Sequence, residues 1–122
     1  TEDLPPPIPA ATLVLMRERH GGPPELLMME RSGDMAFAAG ALVFPGGRVD
    51  EDDHRTAERF AGEHYASAKI AAIRETIEET GIAPALTSPV SDAVAGALRQ
   101  GIEQGASFIE LLDRHALSLD LM

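Results

Sequence analysis

The chain contains no cysteine. That excludes a disulfide framework and thiolate chemistry, and it fits a reducing compartment. Basic residues are scarce: ten Lys and Arg stand against twenty Asp and Glu, a formal charge of −10. A chain so short of positive charge is a poor non-specific binder of nucleic acid or anionic membrane. It can still take a phosphorylated substrate, because bound cations reverse the local sign. No apolar run approaches transmembrane length, and the acidic, proline-rich start is unlike a signal peptide. The expectation is a soluble, cytoplasmic protein with neither nucleic acid nor membrane as partner. At 122 residues the chain is one domain at most, with room for one modest core.

What the chain does have is concentrated in Arg74-Glu75-Thr76-Ile77-Glu78-Glu79-Thr80-Gly81-Ile82. On a helix, Glu75 and Glu79 are an i,i+4 pair with Glu78 between them, so the three carboxylates share a face. Ile70, Ile73 and Ile77 fall on another face, spaced to meet a core. Gly81 suits the position just past the helix end. Carboxylates this close raise one another's pKa unless a cation neutralises them. Hard divalent ions with a preference for oxygen, such as Mg²⁺ or Mn²⁺, would do so. Taken alone, such a run more often reads as a solvated acidic helix face.

The remaining pattern is that of an α/β domain. Thr1 to Pro9 is a polyproline-like lead-in. Ala10 to Met16 reads as a buried strand and Glu25 to Arg31 as a second, joined in a hairpin across Gly21-Gly22-Pro23-Pro24. Met28 and Met29 read as core filler. Ser32 to Gly40 reads as loop with Phe37 as its anchor, and Ala41 to Phe44 as a short strand that Pro45-Gly46-Gly47 breaks sharply. Helical turns are expected around Glu58, Arg59 and Glu63, weakened by Gly62. The main helix spans Tyr65 to Thr80. A further helix capped by Asp92 runs to about Gln100 and ends at Gly101. Ser107 and Glu110 have capping-box spacing for a last short helix with Phe108, Leu111, Leu112 and His115 on one side. His115 reads as a surface or core-edge residue rather than a catalytic one. Leu117, Leu119 and Leu121 alternate, as in a strand or connector.

Phe44-Pro45-Gly46-Gly47 together with Arg74 to Ile82 resembles the Nudix hydrolases. The second half of that family's box is matched at seven fixed positions: Arg74, Glu75, Ile77, Glu78, Glu79, Gly81 and Ile82. The resemblance runs from about Thr12 to Ile82 and implies a Nudix α/β/α sandwich with a mixed sheet, one domain over residues 1–122.

Two features depart from the pattern. Gly47 stands 27 residues before Arg74, an insert of about thirteen residues at roughly 51–63. The box's first glutamate aligns with Ala66, and Asp50, Asp53 and Glu63 are equal candidates to replace it. The insert, with Phe37, Gly40, Asp50 and Asp53, looks like a long-insert branch related to coenzyme A diphosphatases. Members of that branch carry a helical segment after the box, similar to about 92–115 here. The insert reads as pocket wall, as a contact in a homodimer, or as a plain solvated loop. Only about forty residues follow Ile82, whereas the family's chain continues with further strands, so a fragment of a longer hydrolase is expected.

The resemblance implies metal-dependent hydrolysis of a small-molecule diphosphate, a nucleoside diphosphate joined to another group, with coenzyme A or an acyl-coenzyme A favoured. Glu75, Glu78, Glu79 and a carbonyl of Gly46 or Gly47 are the implied ligands of Mg²⁺ or Mn²⁺. Glu75 or Glu78 is the implied base, and Arg74 orients a box carboxylate. Gly46, Gly47, Arg31 and Phe44 are placed around the substrate. The alternatives are a Nudix-like binding or regulatory module impaired by Ala66, or an inactive fragment.

Overall fold

The computed structural model describes residues 7–30 and 40–122. The expected loop anchor Phe37 and the candidate substrate contact Arg31 lie outside the described residues. The elements in chain order are β1 (Ala10–Thr12), β2 (Met16–Arg17), β3 (Glu25–Leu26), β4 (Met29–Glu30), β5 (Leu42–Val43), β6 (Gly46–Arg48), α1 (Glu51–Ala57), a 3-10 turn (Glu58–Phe60), α2 (Ala66–Thr80), α3 (Asp92–Glu103) and α4 (Phe108–Arg114).

The described strands pair antiparallel, β1 with β6, β2 with β3 and β4 with β5. The hairpin across the Gly-Pro cluster is present as β2–β3. Ala10 to Met16 is not the single buried strand expected, because its two ends serve different partners. Ala10–Thr12 pairs with Gly46–Arg48, and Met16–Arg17 turns to Glu25–Leu26. Val14 and Met16 are consequently exposed.

Pro45-Gly46-Gly47 does not end the sheet as a sharp break. Gly46 and Gly47 are themselves strand, opposite Thr12 and Ala11. A Cβ on Gly46 would collide with the Ala11 carbonyl oxygen, so the strand can approach β1 this closely only without a side chain.

The helices form the core. Ile70, Ile73 and Ile77 of α2 are buried with Leu98 and Ile102 of α3, Phe108, Leu111 and Leu112 of α4, and Leu119 and Leu121. The alternating C-terminal leucines thus bury Leu119 and Leu121, and Leu119 bridges to Leu86. α2 ends at Gly81, whose φ of +76° is the left-handed conformation that glycine adopts freely, and whose amide donates to the Ile77 carbonyl.

Two expectations for α3 are corrected. Its N-cap is Ser91, whose hydroxyl accepts from the Val94 amide, and Asp92 is the first helical residue. Gly101 does not terminate it: the helix runs on to Glu103. A Cβ on Gly101 would lie 2.5 Å from Leu111 Cδ2, so this glycine is a close-packing point between α3 and α4. The insert is also more ordered than isolated helical turns. Asp50 and Asp53 form a reciprocal capping box that starts α1, with the Asp50 amide donating to Asp53 Oδ2 at 2.8 Å.

Candidate active site

α2 presents Arg74, Glu75, Glu78 and Glu79 beside β6 and α1. Arg74 is the hub. Its Nε donates to Asp53 Oδ1 and its Nη2 to Asp53 Oδ2, each at 2.9 Å. Nη1 donates to Glu75 Oε1 at 2.9 Å and reaches Glu78 Oε2 at 3.4 Å. Nη2 also donates to the Arg48 carbonyl at 3.1 Å. One guanidinium therefore ties the insert, the glycine strand and two carboxylates together. Asp53 bonding, with Glu75 beside it, outweighs the desolvation and holds Arg74 more firmly charged than a free guanidinium.

Three acidic residues were candidates to fill the place left by Ala66, and the structure separates them. Asp53 is wholly buried and grips Arg74 with both oxygens. Asp50 stands 3.3 Å from Arg74 but is 61% exposed. Glu63 pairs with Lys69 at 2.9 Å.

The glycines meet the carboxylates directly. The Gly46 amide donates to Glu79 Oε1 at 3.0 Å. A Cβ on Gly47 would lie 2.6 Å from Glu75 Cδ, so Glu75 occupies space that any side chain there would take. The register also distinguishes the two carbonyls. In an antiparallel ladder, alternate residues turn their backbone groups to the partner strand. Pro45 and Val49 bond to the β1 side, as acceptor from Leu13 and donor to Pro9 respectively. Gly47 shares their parity. Gly46 and Arg48 face the other way, toward Glu79 and Arg74.

Burial, reinforced by the charge of Glu75, pushes the Glu78 carboxyl above the usual carboxylate range, with Glu79 and Glu103 adding to it and Arg74 opposing. Burial also raises Glu79, assisted by Glu75 and moderated by the Gly46 amide. Desolvation is the larger cause of both shifts and the crowding of like charge the smaller one. The donor set is all oxygen, which suits a hard divalent cation. Among the described residues, no three acidic or imidazole side chains already converge on one point.

A polar cleft of about 360 Å³ adjoins these groups. Glu75, Glu78 and Arg74 line it from α2, Asp50, Asp52 and Arg55 from the insert, and the Gly105–Ser107 turn closes the far side. A larger and more apolar cleft of about 460 Å³, between β1 and residues 120–122, holds none of the box carboxylates. The box carboxylates Glu75 and Glu78 line the smaller one.

Phe44 is half-buried and lies outside the carboxylate cleft. His115 caps the C-terminus of α4. Three neighbours were not found from the sequence. Arg99 Nε donates to the Glu78 carbonyl at 3.0 Å, covering an open end of α2. Asp52 Oδ2 accepts from the Phe108 amide at 3.0 Å, across 56 residues. Arg55 pairs with Asp52 at 3.3 Å. Only the i,i+3 spacing of Asp52 and Arg55 was visible in the chain.

The model of the NUDIX domain matches residues 6–105. A probable nudix hydrolase of Schizosaccharomyces pombe is 42% identical over 59 residues, 48% of this chain and 16% of that protein. The candidate nudix hydrolase 7 of Caenorhabditis elegans is 37% identical over 57 residues, 47% of this chain and 17% of that protein. The crystal structure of a NUDIX hydrolase from Alicyclobacillus acidocaldarius superposes with a TM-score of 0.73 at 27% identity, covering 92% of this chain and 56% of that one. The chain thus spans about a sixth of the length of the curated relatives it matches. The α/β sandwich expected from the sequence agrees with this structural neighbour.

Proposed function

Because this chain belongs to the NUDIX domain family, we propose that its acidic helix face hydrolyses the diphosphate linkage of a nucleoside diphosphate joined to another group. The observation that carries this reading is the joint placement of Glu75 against Gly47 and Glu79 on the Gly46 amide, with Arg74 fixing Glu75 and Glu78. A solvated acidic face has no need of such partners.

Glu75, Glu78, Glu79 and the Gly46 carbonyl would hold Mg²⁺ or Mn²⁺. Gly46 is preferred to Gly47 because its backbone groups face the carboxylates rather than β1. A bound divalent cation supplies the positive charge that stabilises developing negative charge on the phosphate oxygens. Arg74 positions Glu75 by a charge-assisted hydrogen bond. Glu78 is the base that accepts the proton of the attacking water. It has the weaker hold on Arg74, at 3.4 Å, which leaves its carboxylate freer to take that proton. Asp53, by anchoring Arg74, stands in for the missing box glutamate, which supports hydrolysis over a binding or regulatory module impaired at Ala66.

The long insert favours coenzyme A or an acyl-coenzyme A as substrate. The test is a panel of coenzyme A, ADP-ribose, NADH and diadenosine polyphosphates, run with Mg²⁺ and with Mn²⁺. Metal-dependent cleavage, greatest for coenzyme A, is expected. Cleavage of another member would replace the substrate. Tight binding of the panel with no turnover would replace the enzyme by a binding module.

A further inference from the structure

The insert places one cation in the carboxylate cleft that the chemistry above leaves without a task. Resting on that reading, we propose that Arg55 is a substrate-binding residue that takes a phosphate oxygen of the diphosphate held at Glu75 and Glu78.

Among the described residues, two cationic side chains line the cleft, Arg74 and Arg55. Arg74 is committed to Asp53, Glu75 and the Arg48 carbonyl, with 8% of its side chain exposed. Arg55 is different. Its side chain is 69% exposed, and among the described residues its ion pair is a single 3.3 Å contact with Asp52 one helical turn away. Exposed pairs of this kind hold weakly, so a more strongly charged partner displaces them at small cost. A guanidinium fork also matches phosphate oxygens two at a time.

Asp52 does not need Arg55 to stay in place. Burial pushes its carboxyl up, but the Phe108 amide, the Ser107 hydroxyl and Arg55 together bring it below the usual range. Its bond to the Phe108 amide remains if Arg55 turns away. The helix that carries Arg55 is fixed as well. Asp53 locks α1 to α2, and just beyond α1 Arg59 bonds both oxygens of Asp113 at 2.7 and 3.1 Å. Arg55 is thus an exposed, weakly paired side chain on a fixed base, lining the same cleft as Glu75 and Glu78.

The test uses the full chain as wild type, Arg55→Ala and Arg55→Lys. Mn²⁺ affinity is read by electron paramagnetic resonance of the free ion. Affinity for a methylene-bridged ADP analogue, which cannot be hydrolysed at that bridge, is read by calorimetry with Mn²⁺ present. KM and kcat are read on the best panel substrate. Arg55→Ala is expected to weaken the analogue about tenfold or more, the usual cost of losing a charged hydrogen bond. It should raise KM and leave Mn²⁺ binding equal or tighter, since it removes a positive charge from beside the site. Arg55→Lys should recover part of the analogue affinity. Unchanged analogue affinity and KM in Arg55→Ala, with an active wild type, overturns the role of Arg55 alone. Loss of Mn²⁺ affinity in parallel with analogue affinity also overturns it, showing that Arg55 only shapes the site. A wild type that neither binds the analogue nor cleaves the panel overturns the hydrolase reading and this one with it.

Discussion

Arg74 and Asp53, 21 residues apart in the chain, form a buried two-point ion pair, Nε to Oδ1 and Nη2 to Oδ2, each at 2.9 Å. The same Asp53 carboxylate accepts the Asp50 amide and so starts α1. A single side chain therefore begins the insert helix and anchors the arginine that aligns Glu75.

Removing Asp53 leaves the Arg74 charge buried without its main partner. Asp53→Ala should cost about 3–5 kcal/mol, the usual penalty for breaking a buried pair from one side. Asp50→Ala, which removes a helix cap and an ion pair at a side chain 61% exposed, should cost less, about 1–2 kcal/mol. Urea denaturation of both variants checks this. Equal losses would mean that Asp53 is not the anchor.

Glycine replacements separate three roles. Gly96→Ala, inside α3 with open space around the added carbon, should stabilise by about 0.5–1 kcal/mol through helix propensity. Gly101→Ala drives a methyl into Leu111 and should destabilise by about 1–3 kcal/mol through overpacking. Gly47→Ala displaces the flexible Glu75 side chain, so activity should fall far more than stability does. Thermal melts beside turnover on the panel substrate would show the pattern. A Gly47→Ala enzyme with normal turnover would contradict the placement of Glu75.

Acid should loosen the joint between α1 and α4. The folded-state pKa of Asp52 lies below the 3.8 of an ordinary aspartate. Its contribution is therefore present above that value and is lost as pH falls through the depressed one. Asp52→Asn should flatten stability against pH in that acid window.

Glu78 and Glu79 act in the opposite sense. Their folded-state values lie above 4.5, so without metal they lower stability as pH rises from 4.5 through the raised values. Added Mn²⁺ should restore that stability at neutral pH. Unfolding curves over pH, with and without Mn²⁺, test both senses; an Mn²⁺ effect at acid pH equal to that at neutral pH would count against the carboxylates.

Local signals in the chain were enough for α2. Its isoleucine spacing fixed the buried face, Gly81 fixed the end, and the carboxylate spacing fixed the acidic face, because helix geometry alone dictates all three. The choice of Asp53 over Asp50 and Glu63 was not legible. It depends on where the insert packs, and packing is a tertiary event. Gly46-Gly47 read as a break because glycine pairs usually mark turns; their strand state comes from pairing with Ala11 and Thr12, far off in sequence. Gly101 misled for a related reason. Its lack of a side chain serves Leu111 on another helix, which a local rule for helix ends cannot detect. Arg55 gave only an i,i+3 spacing, and its meaning appears once α1 is seen beside Glu75 and Glu78.

Glu79→Gln offers the most direct test of the acidic face. The glutamine oxygen can still accept from the Gly46 amide, so the fold should hold while the charge is gone. Phosphorus NMR of coenzyme A with the wild type and Mg²⁺ should show the diphosphate signals give way to two phosphate-containing products. Chelation of the metal should abolish this, and Glu79→Gln should slow it by orders of magnitude. Cleavage by Glu79→Gln at the wild-type rate, or cleavage by wild type undiminished by the chelator, would contradict the account.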